Sequence, residues 1–338
     1  MIITKTPHRI SFFGGGTDYP SWYLNHGGKV LGVAIDKYCY LVVRELPPFF
    51  EHKHRIVYSI IENSKHVEEI RHPSVRETLK FIKYSKGISV HHDGDIPARS
   101  GMGSSSSFTV GFLKAMYALN GKVISSKELF EDAIHIEQNL IKENVGSQDQ
   151  VFAACGGLNK IDFMENGEIV VTPVIMTREH LTQFESKFML FFTGISRNAS
   201  DIAKEQIKNT KKNSSELNTM SALVDDAYNI VTSIKPDFSA FGTLLNETWK
   251  LKRSLSAMIS NSLIDEIYNT ALKNGALGGK LLGAGGGGFM LFYAEPDKQL
   301  KVKEALGKFL HIPFEFDYSG SEIIFYKPNY AKTWKGKL

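Results

Sequence analysis

At 338 residues the chain is long enough to bury a sizeable core and to hold two domains. Its 40 basic and 36 acidic residues leave a net charge of +4, too mild to argue for a nucleic-acid partner and compatible with an anionic small substrate. Hydrophobic residues at 42% and charged residues at 22% are ordinary for a globular protein, and the lack of an apolar run of about 18 residues argues against a membrane span.

The first third reads mainly as strands. Segments 2–6 and 9–13 are short, bounded by Pro7 and by Gly14-Gly15-Gly16; 29–35 and 38–44 are rich in Val, Ile, Leu and Tyr, with Asp36-Lys37 placed to turn a hairpin. Segment 55–61 is a further strand, Pro73 opens a helix through Val75, Leu79 and Ile82, and 88–92 is a strand feeding a Gly/Ser loop. Helices are expected at 105–119, at 126–141 with the apolar face Leu129, Ala133, Ile136 and Leu140, and at 147–154; strands return at 157–163 and 169–171. A boundary near 165–180 divides the chain into domains 1–170 and 171–338. The second half starts with strand 188–192 and polar helices across 199–233, where 208–215 has no apolar residue and reads as a solvated loop. Helices near 238–256 and 262–274, a glycine cluster, strand 289–293, a helix at 297–309 and two closing strands complete it. The tail from Lys327, with Lys332, Lys335 and Lys337, reads as a solvated end. Strands and helices alternate without strict βαβ periodicity, so the expected class is α+β. Cys39 and Cys155 lack metal spacing and the first residues lack an apolar signal stretch; reduced thiols and a cytoplasmic location are expected.

Four motifs carry chemistry. Pro97-Ala98-Arg99-Ser100-Gly101-Met102-Gly103-Ser104-Ser105-Ser106-Ser107 runs straight into an apolar helix. Unpaired N–H groups at a helix start, with the dipole behind them, make an anion site suited to phosphate. The hydroxyls can bond phosphate oxygens or ligate Mg²⁺. Ser104 follows Gly103, so this is not the lysine-bearing P-loop. The second motif, Arg9 through Gly14-Gly15-Gly16-Thr17-Asp18, delivers a guanidinium from a strand and a carboxylate from a turn; an ordinary structural turn explains it equally well. The third places Glu137 on one helix and Asp149 at the start of the next, able to divide metal and acid–base duties, although a solvated helix face and a helix-start acid account for the spacing by themselves. The fourth, 278–288, can form a backbone nest for phosphate or substrate. It leads into a strand, which argues against a dinucleotide fingerprint.

In this order and over nearly the whole chain, the motifs resemble those of the GHMP sugar and metabolite kinases. The resemblance implies a ribosomal-protein-S5-like N-terminal domain and a ferredoxin-like C-terminal one, with the site between them. It implies ATP held by Pro97, Gly101, Met102, Gly103, Ser104, Ser105, Ser106 and Ser107, and Mg²⁺ held by Ser105 and Glu137. Asp149 matches the family's catalytic acid, Arg9 pairs with it or with the transferring phosphoryl group, and Asp18, Gly16, Gly285 and Gly286 face substrate. Gly15 and Gly16 stand where the galactokinase signature has Glu and His, which puts galactose in doubt. The segments 7–18 and 278–289 are most similar to the branch that phosphorylates a heptose 7-phosphate at its anomeric hydroxyl, on the way to nucleotide-activated heptose for surface polysaccharide. A substrate phosphate needs cations: His8, Arg99, Arg197, Lys252 and Arg253 are candidates that also read as surface charges, with Lys252 and Arg253 preferred. The expected partners are ATP and a small sugar phosphate, with neither nucleic acid nor membrane; a homodimer is left open. A kinase for fucose, arabinose or an N-acetylhexosamine is the alternative, and a non-catalytic sensor is disfavoured by the presence of Asp149, Glu137 and Arg9 together.

Overall fold

The computed structural model describes residues 1–98, 100–195 and 199–327; Arg99, Arg197 and the lysine-bearing tail lie outside the described residues. Strand β1 (Ile2–Phe13) runs unbroken through Pro7, and β2 (Gly28–Glu45) runs unbroken through Asp36-Lys37. The expected short strands and hairpin are therefore wrong. The pairing steps from Pro7↔Tyr38 to His8↔Ile35, so Asp36 and Lys37 form a bulge opposite the one residue that cannot donate to the ladder. Asp36 closes the bulge by exchanging hydrogen bonds with the backbone of Glu315, both 2.9 Å.

Helix α1 (Pro20–His26), unforeseen in sequence, joins these strands. The expected strand 55–61 is a hairpin of β3 (His54–Val57) and β4 (Ile61–Ser64). Then come α2 (Pro73–Phe81), β5 (Ile88–Gly94) and α3 (Ser104–Leu119). The single helix expected at 126–141 is α4 (Ser126–Ile134) followed by a π-helical turn, His135–Leu140, in which the Ile141 N–H reaches back five residues to the Ile136 carbonyl at 2.9 Å. Helix α5 (Gln148–Cys155), β6 (Leu158–Phe163) and β7 (Ile169–Pro173) follow. The first sheet runs β1-β2-β5-β3-β4, with β6 on the early part of β2 and β7 outside β6. Helix α3 lies on β1 and β2, where a methyl on Gly111 would sit 2.6 Å from the Thr6 hydroxyl. That close packing aims the start of α3 at the site.

The second half contains α6 (Arg178–Glu185), β8 (Phe188–Phe192), α7 (Ala199–Lys208), α8 (Ser214–Thr232), α9 (Phe238–Ser254) and α10 (Ser262–Lys273). It ends with β9 (Ala276–Leu281), β10 (Phe289–Ala294), α11 (Pro296–Ala305), β11 (Leu310–Ile312) and β12 (Glu322–Tyr326). Sheet order β11-β8-β10-β9, all antiparallel, gives strands one to four as 4-1-3-2 with helices in the two crossovers, the ferredoxin-like half implied above. The 208–215 segment is no solvated loop: Thr210 and Asn213 are buried, and Asn213 Nδ2 donates to the Leu255 carbonyl at 2.9 Å. Residues 278–280 are strand, not loop.

The division into 1–170 and 171–338 does not hold at the chain's end. Strand β12 returns to the first sheet and pairs with β1 from Ile2↔Tyr326 onward. The interior is shared too. Phe12 stacks on Phe188 with centroids 4.9 Å apart, and Phe13 meets Phe241 edge-on at 4.9 Å. Edge-to-face and offset aromatic pairs of this kind tie the halves together.

Candidate active site

A cavity of about 810 Å³ opens between the halves at the start of α3. Gly103 takes φ 76° at the helix cap, a backbone state glycine favours, and no side chain caps the first turn. A helix start of this kind, with the positive end of the helix dipole facing a cavity, suits an anion. Of the expected nucleotide residues, Gly101, Gly103, Ser104, Ser105 and Ser106 line the cavity. The others do not. Met102 is sunk in the core, Ser107 Oγ donates to the Pro7 carbonyl at 2.8 Å, and Ile96 and Ala98 line the wall in place of Pro97.

Beside Gly103 stands Asp149, first turn of α5. Arg9 grips it with both arms, Nε to Oδ1 at 2.7 Å and Nη2 to Oδ2 at 2.8 Å, while Nη1 donates to the Gly101 carbonyl at 2.9 Å. This is one of the two pairings offered by the sequence. Asp18 is 2% exposed and accepts from the N–H of Gly16 at 2.9 Å and of Gln148 at 3.3 Å. Burial pushes its pKa up, the Gly16 N–H opposes this, and the neighbouring Asp149 charge adds to it. A methyl on Gly146 would lie 1.9 Å from Asp18 Oδ2, so glycine there makes room for the carboxylate.

Glu137, in the π-helical turn, is fully buried and still reaches the cavity wall. It accepts from Ser106 Oγ at 2.8 Å, from Thr109 Oγ1 at 2.7 Å and from Gln150 Nε2. Burial raises its pKa to about 7 against the pull of these donors. Of the two residues expected to hold Mg²⁺, both line the cavity, Ser105 exposed toward it; the serine that bonds Glu137 is Ser106. One carboxylate among serine hydroxyls and helix amides is an incomplete cation cage, and no cluster of three His, Cys, Asp or Glu residues stands ready for a metal among the described residues. Such a donor set fits Mg²⁺, which keeps waters and takes phosphate oxygens for the rest of its shell.

The second half contributes Gly283 and Ala284 to the wall. The substrate roles expected of Gly285 and Gly286 are not met: a methyl on Gly285 would strike Ile259 Cα at 2.7 Å, and the Gly286 N–H donates to the Ile259 carbonyl. Both are taken up by the Ile259 backbone, and neither lines the cavity. Lys252 and Arg253 do not line it either. Lys252 is buried against backbone carbonyls, and Arg253 is exposed and lies 3.5 Å from Asp265. His8 does line the wall, but burial drives its pKa to about 3, so it is no cation for a phosphate. Sequence reasoning missed the opposite wall of Tyr58, Arg71, His72, His92 and Phe108. His72 stacks on Phe108 at 4.3 Å. Apart from the neighbours Arg71 and His72, these come from separate parts of the chain, and no local spacing links them.

A polar helix start facing a large cavity, a guanidinium-locked carboxylate and a buried glutamate beside serine hydroxyls together define a phosphoryl-transfer enzyme. Residues 69–157 match the N-terminal domain model of the GHMP kinases and 229–312 the C-terminal one. The chain belongs to the GHMP kinase family, and its phosphoryl donor is ATP. It is 31% identical over 91% of its length, and 93% of the relative's, to D-glycero-alpha-D-manno-heptose 7-phosphate kinase of Campylobacter jejuni. It is 27% identical to L-fucokinase/L-fucose-1-P guanylyltransferase of Bacteroides fragilis, over 90% of this chain and 36% of that longer protein. Its fold matches that of a D-glycero-D-manno-heptose 1-phosphate kinase from Bacteriodes thetaiotaomicron with a TM-score of 0.79, covering 97% of this chain and all of that one at 23% identity. No helix among the described residues is long and apolar enough to cross a membrane.

Proposed function

We propose that this chain, a sugar kinase, transfers the terminal phosphoryl group of ATP to the anomeric hydroxyl of D-glycero-D-manno-heptose 7-phosphate, giving the 1,7-bisphosphate. The observation that carries the reading is the bidentate Arg9–Asp149 pair beside Gly103, with buried Asp18 close by in the same cavity. The likeness to the Campylobacter jejuni heptose 7-phosphate kinase supports the acceptor.

The amides and hydroxyls of residues 101–106 bind the triphosphate. Glu137 and the Ser105 and Ser106 hydroxyls would hold Mg²⁺, which neutralises charge on the phosphates when bound. Asp149 orients the anomeric hydroxyl and takes up its proton; that hydroxyl is more acidic than an ordinary alcohol, which suits a carboxylate base. Arg9 fixes the plane of that carboxylate. Asp18 accepts from sugar hydroxyls, and Gly15 and Gly16 leave space where a bulkier turn would crowd the ring.

The test is a coupled kinase assay with ATP and Mg²⁺ on the heptose 7-phosphate, the unphosphorylated heptose, galactose and fucose. Turnover concentrated on the 7-phosphate is expected. Turnover on fucose alone would move the assignment toward the fucokinase relative. Removing Mg²⁺ with EDTA should abolish activity, and adding Mg²⁺ in excess should restore it.

A further inference from the structure

Lys252 is a buried cation for which the reaction scheme has no role. It lies in the last turn of α9, 6% exposed, and its Nζ donates to the Leu281 carbonyl at 2.9 Å and to the Gly283 carbonyl. These carbonyls bracket the passage from β9 into the glycine turn. A trans peptide points its C=O and N–H in opposite directions, and no peptide in the described chain is cis. With the Leu281 carbonyl turned to Lys252, the next N–H, of Leu282, faces the other way and donates to Phe289 at 2.9 Å. By the same geometry the Gly283 carbonyl turned to Lys252 directs the Ala284 N–H away from the lysine. Gly283 and Ala284 line the cavity, and Lys252 does not. Among the described residues the Ala284 N–H has no hydrogen-bond partner. Across from it lies Gly101, whose Cα is 2.5 Å from where a Gly283 methyl would be and whose carbonyl Arg9 holds.

We propose that Lys252 is a positioning residue, which locks the Gly283–Ala284 peptide so that the Ala284 N–H donates to a phosphate oxygen beside Arg9 and Gly101. Gln206 Nε2 holds the Ala284 carbonyl at 2.8 Å and the Ile259 carbonyl holds the Gly286 N–H, but the peptide between Gly283 and Ala284 has only Lys252 on its carbonyl, and Gly283, at φ 71°, is the residue about which that peptide can turn. A donor fixed in advance where charge gathers loses nothing to reorganisation during the reaction. Burial brings the Lys252 pKa down to about 7, Arg9 adds to that and Asp18 opposes it; Lys280 on β9, bonded to the Phe12 carbonyl, is the other cation nearby. Neutral or charged, the amine keeps the two N–H donors its carbonyls require.

The proposal rests on the kinase reading, and wild type assayed in parallel separates the two: wild type inactive on every acceptor and with ATP defeats that reading, not this one. Lys252→Met keeps the stem and removes the donors. With a wild-type circular dichroism spectrum, it should lose about 10- to 100-fold in kcat on phosphorylated and unphosphorylated acceptors alike if the oxygen belongs to the transferring group. If the oxygen belongs to the acceptor's own phosphate, KM for the phosphorylated acceptor rises by a similar factor instead. Wild-type kcat and KM, or losses that only follow a smaller folded fraction, overturn the proposal. A second readout needs no stable variant. In wild type labelled with ¹⁵N-alanine, the Ala284 amide, assigned by its disappearance in Ala284→Gly, should move downfield on adding a non-hydrolysable ATP analogue or the phosphorylated sugar. A resonance indifferent to both overturns the proposal.

Discussion

At the scale of single residues, the site depends on carboxylates held in fixed orientations. Asp149→Asn keeps the shape but loses the charge that Arg9 grips and, with it, the proposed base; turnover should fall by about 10²-fold or more with the KM for ATP nearly unchanged, measured by steady-state kinetics. Gly146→Ala places a methyl 1.9 Å from Asp18 Oδ2, so the carboxylate must leave its position. The KM for the sugar should rise at least about tenfold while ATP binding persists, consistent with lost orientation. Arg9, Asp18, Glu137 and Asp149, which the structure brings to one cavity, were singled out by the order of the four motifs and their resemblance to a family, since spacing by itself allowed a structural turn and a solvated helix face as well. Which serine meets Glu137 was not legible, because neighbouring residues in a helix point about 100° apart and the loop offers four serines in a row. Lys252 was misread for a related reason: a charge in sequence says nothing of whether its end meets solvent or backbone.

At the scale of elements, irregularity does the positioning. A regular helix over 126–141 would follow the 3.6-residue period, and Leu129, Ala133 and Ile136 do lie buried as that period requires. The extra residue in the π-helical turn is invisible to such a pattern, yet it carries Glu137. The same holds for the bulge at Asp36-Lys37, which reads as a turn because turn residues and bulge residues are alike. Thr109, one turn into α3, ties that helix to the π-helical turn through Glu137. Thr109→Val keeps the volume and removes a donor that favours the charged carboxylate, so the Glu137 pKa rises further. The Mg²⁺ concentration giving half-maximal rate at pH 7 should rise several-fold, read by Mg²⁺ titration of the assay.

At the scale of the whole molecule, the two halves fold as partners. The α+β class followed from element order and the four-strand half from the family resemblance, whereas the return of β12 to β1 was hidden, since nothing in a short apolar strand names its neighbour. A chain ended after Gly320 should melt several degrees below one ended after Lys327, because β1 loses its outer partner and Thr6 its hydrogen bond to Ser321. Acid should destabilise the protein as well. Burial lowers His8 to about 3 and His54 and His72 to about 4 from an ordinary 6.5. Between those values the unfolded chain binds more protons, so the stability present above pH 6.5 is lost as pH falls toward 4. Glu137, raised to about 7, and Asp18 and Glu185, also raised by burial, work the other way, against His91, His92 and His311 lowered by burial beside the three histidines above. The melting temperature should drop from pH 7 to pH 5, and less so in His54→Leu, whose wild-type ring nitrogens are buried without partners.

The joint between the halves also sets where this enzyme has freedom to diversify. A methyl on Gly101 would meet the Leu282 carbonyl at 2.7 Å, and one on Gly288 the Ser100 carbonyl at 2.1 Å, so backbone faces backbone and nothing can yield. Gly15 is different: a methyl there would meet only the tips of Ser11 and Gln148, at 3.3 and 3.6 Å, and both can swing aside. Lineages adapting to a new acceptor have an open route through the turn after β1 and a closed one at the joint, so variation in sugar choice should be inherited as changes at position 15 long before any at 101, 283 or 288.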